Sequence, residues 1–146
     1  MAGAGQVIEV LDIGVSEALD ALLRHAGDLT PAMAAIGEHL LRVSDARWDR
    51  EVDPTGAPWA PLKPATVARK RIEHPAAGIL EETGMMRRRT YHADPDSVTF
   101  GGNRVQDATH QYGDPTRGIP ARPNLGFEAG DPDIVAEILV DFLGGA

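Results

Sequence analysis

The chain has 146 residues, of which 42% are hydrophobic and 25% are charged, and this balance suits one globular domain over residues 1–146 rather than a disordered segment. It contains no cysteine, which excludes disulfides, thiol nucleophiles and thiolate metal sites. No apolar run approaches the roughly 20 residues that span a bilayer, and no charged region followed by an apolar core opens the chain, so we expect neither a membrane span nor a signal peptide.

The charge is distributed unevenly along the chain. The net charge of −8 argues against nucleic-acid binding by the whole surface. Residues 1–60 carry ten acidic against four basic side chains, whereas residues 61–90 carry seven basic against three acidic ones. The basic middle is either a solvated face of a monomer or a patch that meets the acidic face of a second copy, and the pattern alone leaves both interpretations open.

The first elements in chain order are a strand and two helices. Alternating apolar residues predict a strand over residues 6–13. Ser16 as N-cap, followed by apolar residues at helical spacing, predicts a helix that ends at Gly27. A second amphipathic helix is expected from Thr30, as N-cap before a proline, to about Trp48.

A proline-rich stretch follows, DPTGAPWAPLKPATVARK at residues 53–70, and we name it the proline connector. Its four prolines each fix φ and remove a backbone donor, so the run is expected to be rigid and extended rather than a helix interior or a central strand. Trp59 in its middle docks either into the core of this chain or onto a neighbour. The next residues predict a short helix, Thr66 to Glu73.

The second half of the chain begins with a predicted helical turn over residues 78–84. The best hairpin candidate pairs Thr90–Ala93 with Ser97–Gly101 around an Asp-Pro-Asp turn. A third strand or extended segment is expected over residues 105–112.

A second proline-rich loop, GDPTRGIPARP at residues 113–123, precedes the last element, and we name it the second proline loop. The final helix is predicted over residues 134–143, capped by Asp131-Pro132-Asp133. The outline predicts an α+β fold in which amphipathic helices pack on a small, mainly antiparallel sheet, with long ordered proline-rich loops.

The sequence contains no recognisable catalytic or metal-binding motif. The five histidines show no zinc-binding spacing, and no nucleophile motif of the GxSxG kind is present. Glu81 and Glu82 are adjacent acids on a turn, which are more often solvated or capping than catalytic. We therefore predict no catalytic, cofactor-binding or metal-binding residue, and not an enzyme.

Four pieces of the sequence together carry a resemblance. They are WAPLKP in the proline connector, LEETG at residues 80–84 leading into three arginines, HQYG at residues 110–113, and IPARP at residues 119–123. In this order, the segment from residue 47 to 127 resembles the phage virion morphogenesis family, which includes tail completion proteins of Mu-like and related tailed phages.

The resemblance implies a structural protein of the virion neck or upper tail, present in the host cytoplasm during assembly. It implies a subunit of a ring, commonly hexameric, that completes the tail or joins it to the filled head. The partners would be other copies of the chain and adjacent neck, head-connector and tail-tube proteins. DNA would pass through the ring without specific binding, and no cofactor or membrane is implied. The alternatives are a tail terminator capping the tail tube, an assembly factor absent from the virion, and a small enzyme or nucleic-acid-binding module.

The resemblance and the loops indicate which residues form protein interfaces. In the proline connector they are Trp59, Leu62, Lys63 and Pro64. In and before the second proline loop they are His110, Tyr112, Ile119, Pro120, Arg122 and Pro123, and the basic run Arg87, Arg88 and Arg89 is a further candidate surface for an acidic partner. The alternative is that Trp59, Leu62 and Tyr112 are core residues and that Arg122 makes an internal hydrogen bond.

We also expect the isolated protein to be mostly monomeric at micromolar concentration, because the two proline-rich loops would become ordered only against neighbours.

Overall fold

A computed structural model describes residues 19–20 and 27–144 of the chain. Its elements in order are the helices and strands α1 (Thr30–Arg50), α2 (Pro64–Glu73), β1 (Thr90–Ala93), β2 (Val98–Gly101), α3 (Gln106–Tyr112) and α4 (Asp131–Gly144), with a short 3-10 helix at Pro115–Arg117 before α4. Helices combined with an antiparallel hairpin confirm the predicted α+β class. The strand predicted over residues 6–13 lies outside the described residues, as does most of the helix predicted from Ser16 to Gly27, of which Leu19 and Asp20 are helical.

The chain divides into two compact units. The described part of unit 1 comprises residues 44–89 and 102–126, and that of unit 2 comprises residues 19–20, 27–43, 90–101 and 127–144. One of the points at which the chain passes from one unit to the other falls inside α1, before Ser44. Two compact units can belong to one folding domain, so the single domain over residues 1–146 stays a prediction.

In unit 2, α1 begins close to the predicted position but with a different cap. Asp28 Oδ1 accepts hydrogen bonds from the Thr30 backbone N–H at 2.9 Å and from its hydroxyl at 2.5 Å. Asp28 therefore satisfies a free amide of the first turn, and Thr30 is the first helical residue rather than the N-cap. The predicted N-cap at Thr30 is thus wrong, because Thr30 already lies in the helix and its own N–H and hydroxyl donate to Asp28.

The hairpin of unit 2 confirms the prediction of paired strands around the Asp-Pro-Asp turn. Residues pair in antiparallel register from Thr90 opposite Gly101 to Ala93 opposite Val98. Val98 and Phe100 on β2 are both buried, so the hairpin has one core face. Alternation of buried and half-buried residues along β2 is the period-two pattern of such a strand.

The final helix of unit 2 begins three residues earlier than predicted. The helix α4 starts at Asp131, whose Oδ2 accepts the Glu128 backbone N–H at 2.7 Å. Its other oxygen, Oδ1, lies 2.8 Å from His39 Nε2, and both side chains are buried. Val135 and Leu139 are buried one turn apart on α4, which confirms its predicted apolar face.

In unit 1, the proline connector is extended only between a turn at its start and the helix α2 at its end. A turn over residues 53–57 is held by Asp53, whose Oδ1 accepts backbone N–H groups of Thr55 at 2.8 Å and of Ala57 at 3.0 Å. Pro64 then opens α2, where a proline is tolerated because the first helical N–H needs no intrahelical acceptor. The expectation of an extended run over residues 53–70 is therefore wrong at the turn over residues 53–57 and after residue 63, and the short helix starts two residues earlier than predicted.

Two further predictions in unit 1 differ from the structure. Residues 106–112 form α3 rather than a third strand. Asp107 Oδ2 accepts the Arg104 backbone N–H at 3.1 Å at the start of the helix, and Gly113, with φ of 77°, ends it. The predicted helical turn over residues 78–84 consists of non-helical turns and bends. Within residues 27–144, no helix combines the length and the apolar character needed to cross a membrane.

Candidate interaction surface

Two tryptophans of unit 1 join the end of α1 to the proline connector. Trp48 and Trp59 pack edge to face, with ring centroids 5.0 Å apart and an interplanar angle of 80°. Both are buried, at 2% and 5% exposure. The Trp59 indole N–H donates to the Pro123 carbonyl at 2.7 Å, so the proline connector is also held to the second proline loop. Trp59 is thus a core residue of its own chain, the alternative left open by the sequence.

Arg122 makes a second link between the two proline-rich loops. Its guanidinium donates from Nε to the Ala60 carbonyl at 2.7 Å and from Nη2 to the Pro61 carbonyl at 3.0 Å. Extended, proline-rich backbone has few partners for its carbonyl groups, and a buried arginine fork satisfies two of them. Burial lowers the pKa of the Arg122 guanidinium below its ordinary value.

Unit 1 also contains a cluster of buried polar side chains. Arg89 donates to the Asn124 side-chain carbonyl oxygen, forms an ion pair with Asp107 at 3.1 Å, and lies 5.8 Å from the centroid of the Trp48 ring. Burial lowers the pKa of Arg89, and the nearby Asp107 carboxylate opposes that shift. Gln111 completes the cluster because its Oε1 accepts the backbone N–H groups of Asn124 and Leu125 at 2.9 and 3.0 Å. The second proline loop is therefore ordered by contacts within unit 1.

Arg87 fixes the turn over residues 78–84 to the end of α1. Its guanidinium contacts Asp45 at 2.5 Å, Asp49 at 2.6 Å and Glu81 at 3.0 Å. The hydrogen bond to Asp45 is the main reason that the pKa of Arg87 is raised above its ordinary value. Arg88 is exposed, so of the triple arginine only the middle residue presents its side chain freely to solvent.

These links shape a groove on unit 1, which we name the basic groove. Its volume is about 510 Å³, and it lies between the proline connector, α2, the turn over residues 78–86, α3 and the second proline loop. Its apolar lining consists of Pro61, Leu62, Leu80, Met85, Met86, Ile119 and Pro120. Its charged lining consists of Lys63, Arg69, Lys70, Arg104 and Arg122, against Glu81 and Glu82. The groove is therefore apolar with an excess of positive charge.

The structure brings together part of the predicted interface. Leu62, Lys63, His110, Ile119, Pro120 and Arg122 all line the basic groove. Pro64 is exposed at the start of α2, Pro123 is half-buried, and Tyr112 is 69% exposed, so Tyr112 is not the core residue that the alternative interpretation made it. Trp59, Arg89 and Arg122 are buried within the chain, so they support the surface rather than present it. Contact of any of these residues with a neighbour stays a prediction.

Several lining residues lie outside the predicted interface. Leu80 and Met85 belong to the turn over residues 78–86, whereas Arg104 precedes α3, and these two segments meet only in the folded chain. The sequence signal for this surface was Met85, a large apolar residue close to the triple arginine. In the structure the Met85 side chain is 40% exposed. His110 was predicted, and its pKa is lowered by burial and by the nearby positive charge of Arg122.

One cluster of the described residues has the donor types of a metal site. Ligand atoms of Glu73, His74 and Glu82 lie within 4.8 Å of one another. Arg69 Nη1, however, contacts Glu73 at 2.7 Å and also donates to Glu82. The guanidinium already supplies the positive charge that these carboxylates require, so the arrangement is that of an ion-pair network on a helix surface.

A groove built from apolar side chains and cations, on loops held by buried arginines, is typical of a protein that binds other proteins. The family model of the phage virion morphogenesis family matches residues 11–144, and the chain belongs to that family. This confirms the resemblance found in the sequence and gives the protein a role in phage virion assembly. No curated protein and no solved structure matches the chain.

Proposed function

We propose that this protein is a structural subunit of the phage neck, which completes the tail or joins it to the DNA-filled head as part of an oligomeric ring around the DNA channel. The family match over residues 11–144 carries the proposal, because it covers nearly the whole chain rather than one motif. Copies of the chain and the adjacent neck, head-connector and tail-tube proteins are the partners, and DNA passes through without specific binding.

The order of the two proline-rich loops supports a role in protein contacts. They are held by Trp59 and Arg122 in the single chain, so the reason given for a monomer, that these loops order only against neighbours, is wrong. A surface that is already ordered loses less conformational entropy when it binds than a mobile loop does. The ordered loops therefore lower the entropic cost of docking onto a neighbouring subunit.

Electron microscopy of a lysate in which the protein is not produced tests the proposal. The particles are scored as filled heads, free tails and joined virions, beside a lysate in which a plasmid restores the protein. Filled heads beside free tails of normal length are the expected result. Overlong tails would assign the protein to tail termination instead, and normal infectious particles would contradict a role in the neck.

Mass spectrometry of purified virions separates a structural subunit from an assembly factor. We expect peptides of the protein in particles from the restored lysate at a level comparable with other neck proteins. Their absence from particles that nevertheless require the protein would show that it acts during assembly and leaves before completion.

A further inference from the structure

The exposed face of α4 in unit 2 is acidic and partly apolar. Asp133, Glu137 and Asp141 are exposed at four-residue spacing, and Val140 beside them is 66% exposed. We name this surface the acidic face of α4. Residues spaced by three, four and seven positions share one side of a helix, so Val140 lies on the same side as Glu137 and Asp133.

The residues that the structure describes do not neutralise this face. Among the residues that the structure describes, none forms an ion pair or hydrogen bond with the side chains of Asp133, Glu137 or Asp141. Like charges four residues apart repel, and an acid in the last turn opposes the helix dipole. The last turn of α4 contains no basic residue. The acidic face therefore favours a cationic partner outside its own helix.

The basic groove of unit 1 has the complementary chemistry. Within the described residues, the side chains of Lys63 and Arg104 have no ion-pair partner, whereas Arg69 is already paired with glutamates. Leu62, Met85 and Ile119 provide apolar surface beside these two cations. A nucleic-acid backbone would use the charges but not the apolar lining, so the groove fits a protein segment with both acidic and apolar side chains.

We propose that the acidic face of α4 in one copy of the chain docks into the basic groove of the next copy, with Val140 against the apolar lining and the carboxylates facing Lys63 and Arg104. This contact rests on the proposed ring. It joins two different surfaces, and such head-to-tail contacts repeat from subunit to subunit and close into rings. Opposite charges at its edge set the register and speed the encounter of the two copies.

Crosslinking between single-cysteine variants tests the contact. The chain has no native cysteine, so each introduced thiol is unique. Copies with Val140→Cys are mixed with copies with Met85→Cys, both exposed positions, and treated with a short bismaleimide. We expect crosslinked dimers that contain one copy of each variant, with a lower yield at high salt because exposed charges are then screened.

The matched control replaces Met85→Cys with Arg71→Cys, an exposed residue of α2 that does not line the basic groove. A yield with Met85→Cys no higher than with Arg71→Cys would overturn the proposal. In assembled virions, capture by Met85→Cys of a different virion protein instead of a second copy would also overturn it and would assign the groove to that protein.

Charge reversal adds a readout that depends on the paired charges. Lys63→Glu in the Met85→Cys copy should lower the yield about two- to fivefold, as expected for the loss of an exposed ion pair. Glu137→Lys in the Val140→Cys copy should restore it. Arg71→Glu makes the same change in net charge outside the groove and should have little effect; an equal loss with Arg71→Glu, or no rescue by Glu137→Lys, would contradict the contact.

Failure of the contact and failure of the neck role have different signatures. If heads and tails remain unjoined without the protein but the mixed crosslink is absent, the neck role stands and the contact is wrong. If the mixed crosslink forms but particles assemble normally without the protein, the contact between copies stands and the neck role is wrong.

Discussion

The two units bury different kinds of side chain. Among the described residues, unit 2 buries mainly apolar side chains: Leu19, Leu29, Ala32, Met33, Ile36, Leu40, Val98, Phe100, Val135 and Leu139, with His39 and Asp131 as a polar pair. Unit 1 buries three apolar side chains, Trp48, Trp59 and Leu125, together with the polar or charged Ser44, Arg47, Lys70, Arg89, Arg122 and Asn124. Unit 2 is thus stabilised mainly by burial of apolar side chains, an interaction without directional requirements. Unit 1 depends more on hydrogen bonds with defined geometry.

This difference predicts that the two units respond differently to substitution. Apolar packing tolerates exchange of one side chain for another of similar volume. A buried donor that loses its acceptor carries the full desolvation cost instead. Because both tryptophans belong to unit 1, tryptophan fluorescence reports on unit 1, and comparison with far-ultraviolet circular dichroism shows whether the two units unfold together.

The largest effect is expected from Trp59→Ala. It removes the edge-to-face partner of Trp48 and the donor to the Pro123 carbonyl, so the free energy of unfolding should fall by about 3–5 kcal/mol. Urea unfolding followed by Trp48 fluorescence measures it. Tyr112→Ala, at an exposed aromatic residue, is the control and should change little. A loss below about 1 kcal/mol for Trp59→Ala would mean that unit 1 does not depend on its few apolar residues.

A packing test in unit 2 should have the next largest effect. A Cβ atom at Gly37 would overlap the ring of Tyr91, so Gly37→Ala should cost about 1–3 kcal/mol although alanine favours helices. In a chain that already carries Tyr91→Ala the ring is absent, so the same Gly37→Ala change should cost much less. All variants are measured by circular dichroism during urea unfolding. An equal cost with and without the ring would mean that the overlap with Tyr91 is not the cause.

Arg122→Lys tests the directional bonds of unit 1 without removing the charge. Lysine cannot donate to the Ala60 and Pro61 carbonyls at the same time with the geometry of the arginine fork, so we expect a loss of about 1–2 kcal/mol. Arg88→Lys, at an exposed position, is the control. Equal stability of the two variants would show that the fork contributes nothing beyond its charge.

The smallest expected effect is a pH dependence through His110. Burial and the charge of Arg122 lower its pKa in the folded chain. Its contribution to stability is therefore present above the unfolded pKa of about 6.5 and is lost as the pH falls through the lower folded value. The urea midpoint from tryptophan fluorescence should decrease on acidification, and less so for His110→Gln. An unchanged slope in His110→Gln would exclude this origin.

The regular elements of unit 2 were the most predictable part of the fold. The hairpin and α4 follow from period-two and helical spacing of apolar residues, and these patterns are local in sequence. The third strand was wrong because residues 105–112 contain few apolar residues to set a period. A helix over Gln106–Tyr112 forms there instead, with the Arg104 N–H bonded to Asp107 at its start and Gly113 at its end, and such local bonds depend on backbone geometry more than on apolar pattern.

The sequence alone determined the family, the α+β class, the hairpin and the two proline-rich loops, because prolines, glycines and apolar spacing act over a few residues. Only the tertiary structure decided that Trp59 and Arg122 face inward and that the basic groove forms at all. Arg122 reaches carbonyl groups about sixty positions away in sequence, at Ala60 and Pro61. Such bonds leave no periodic signal, because their partners are backbone atoms that every residue possesses.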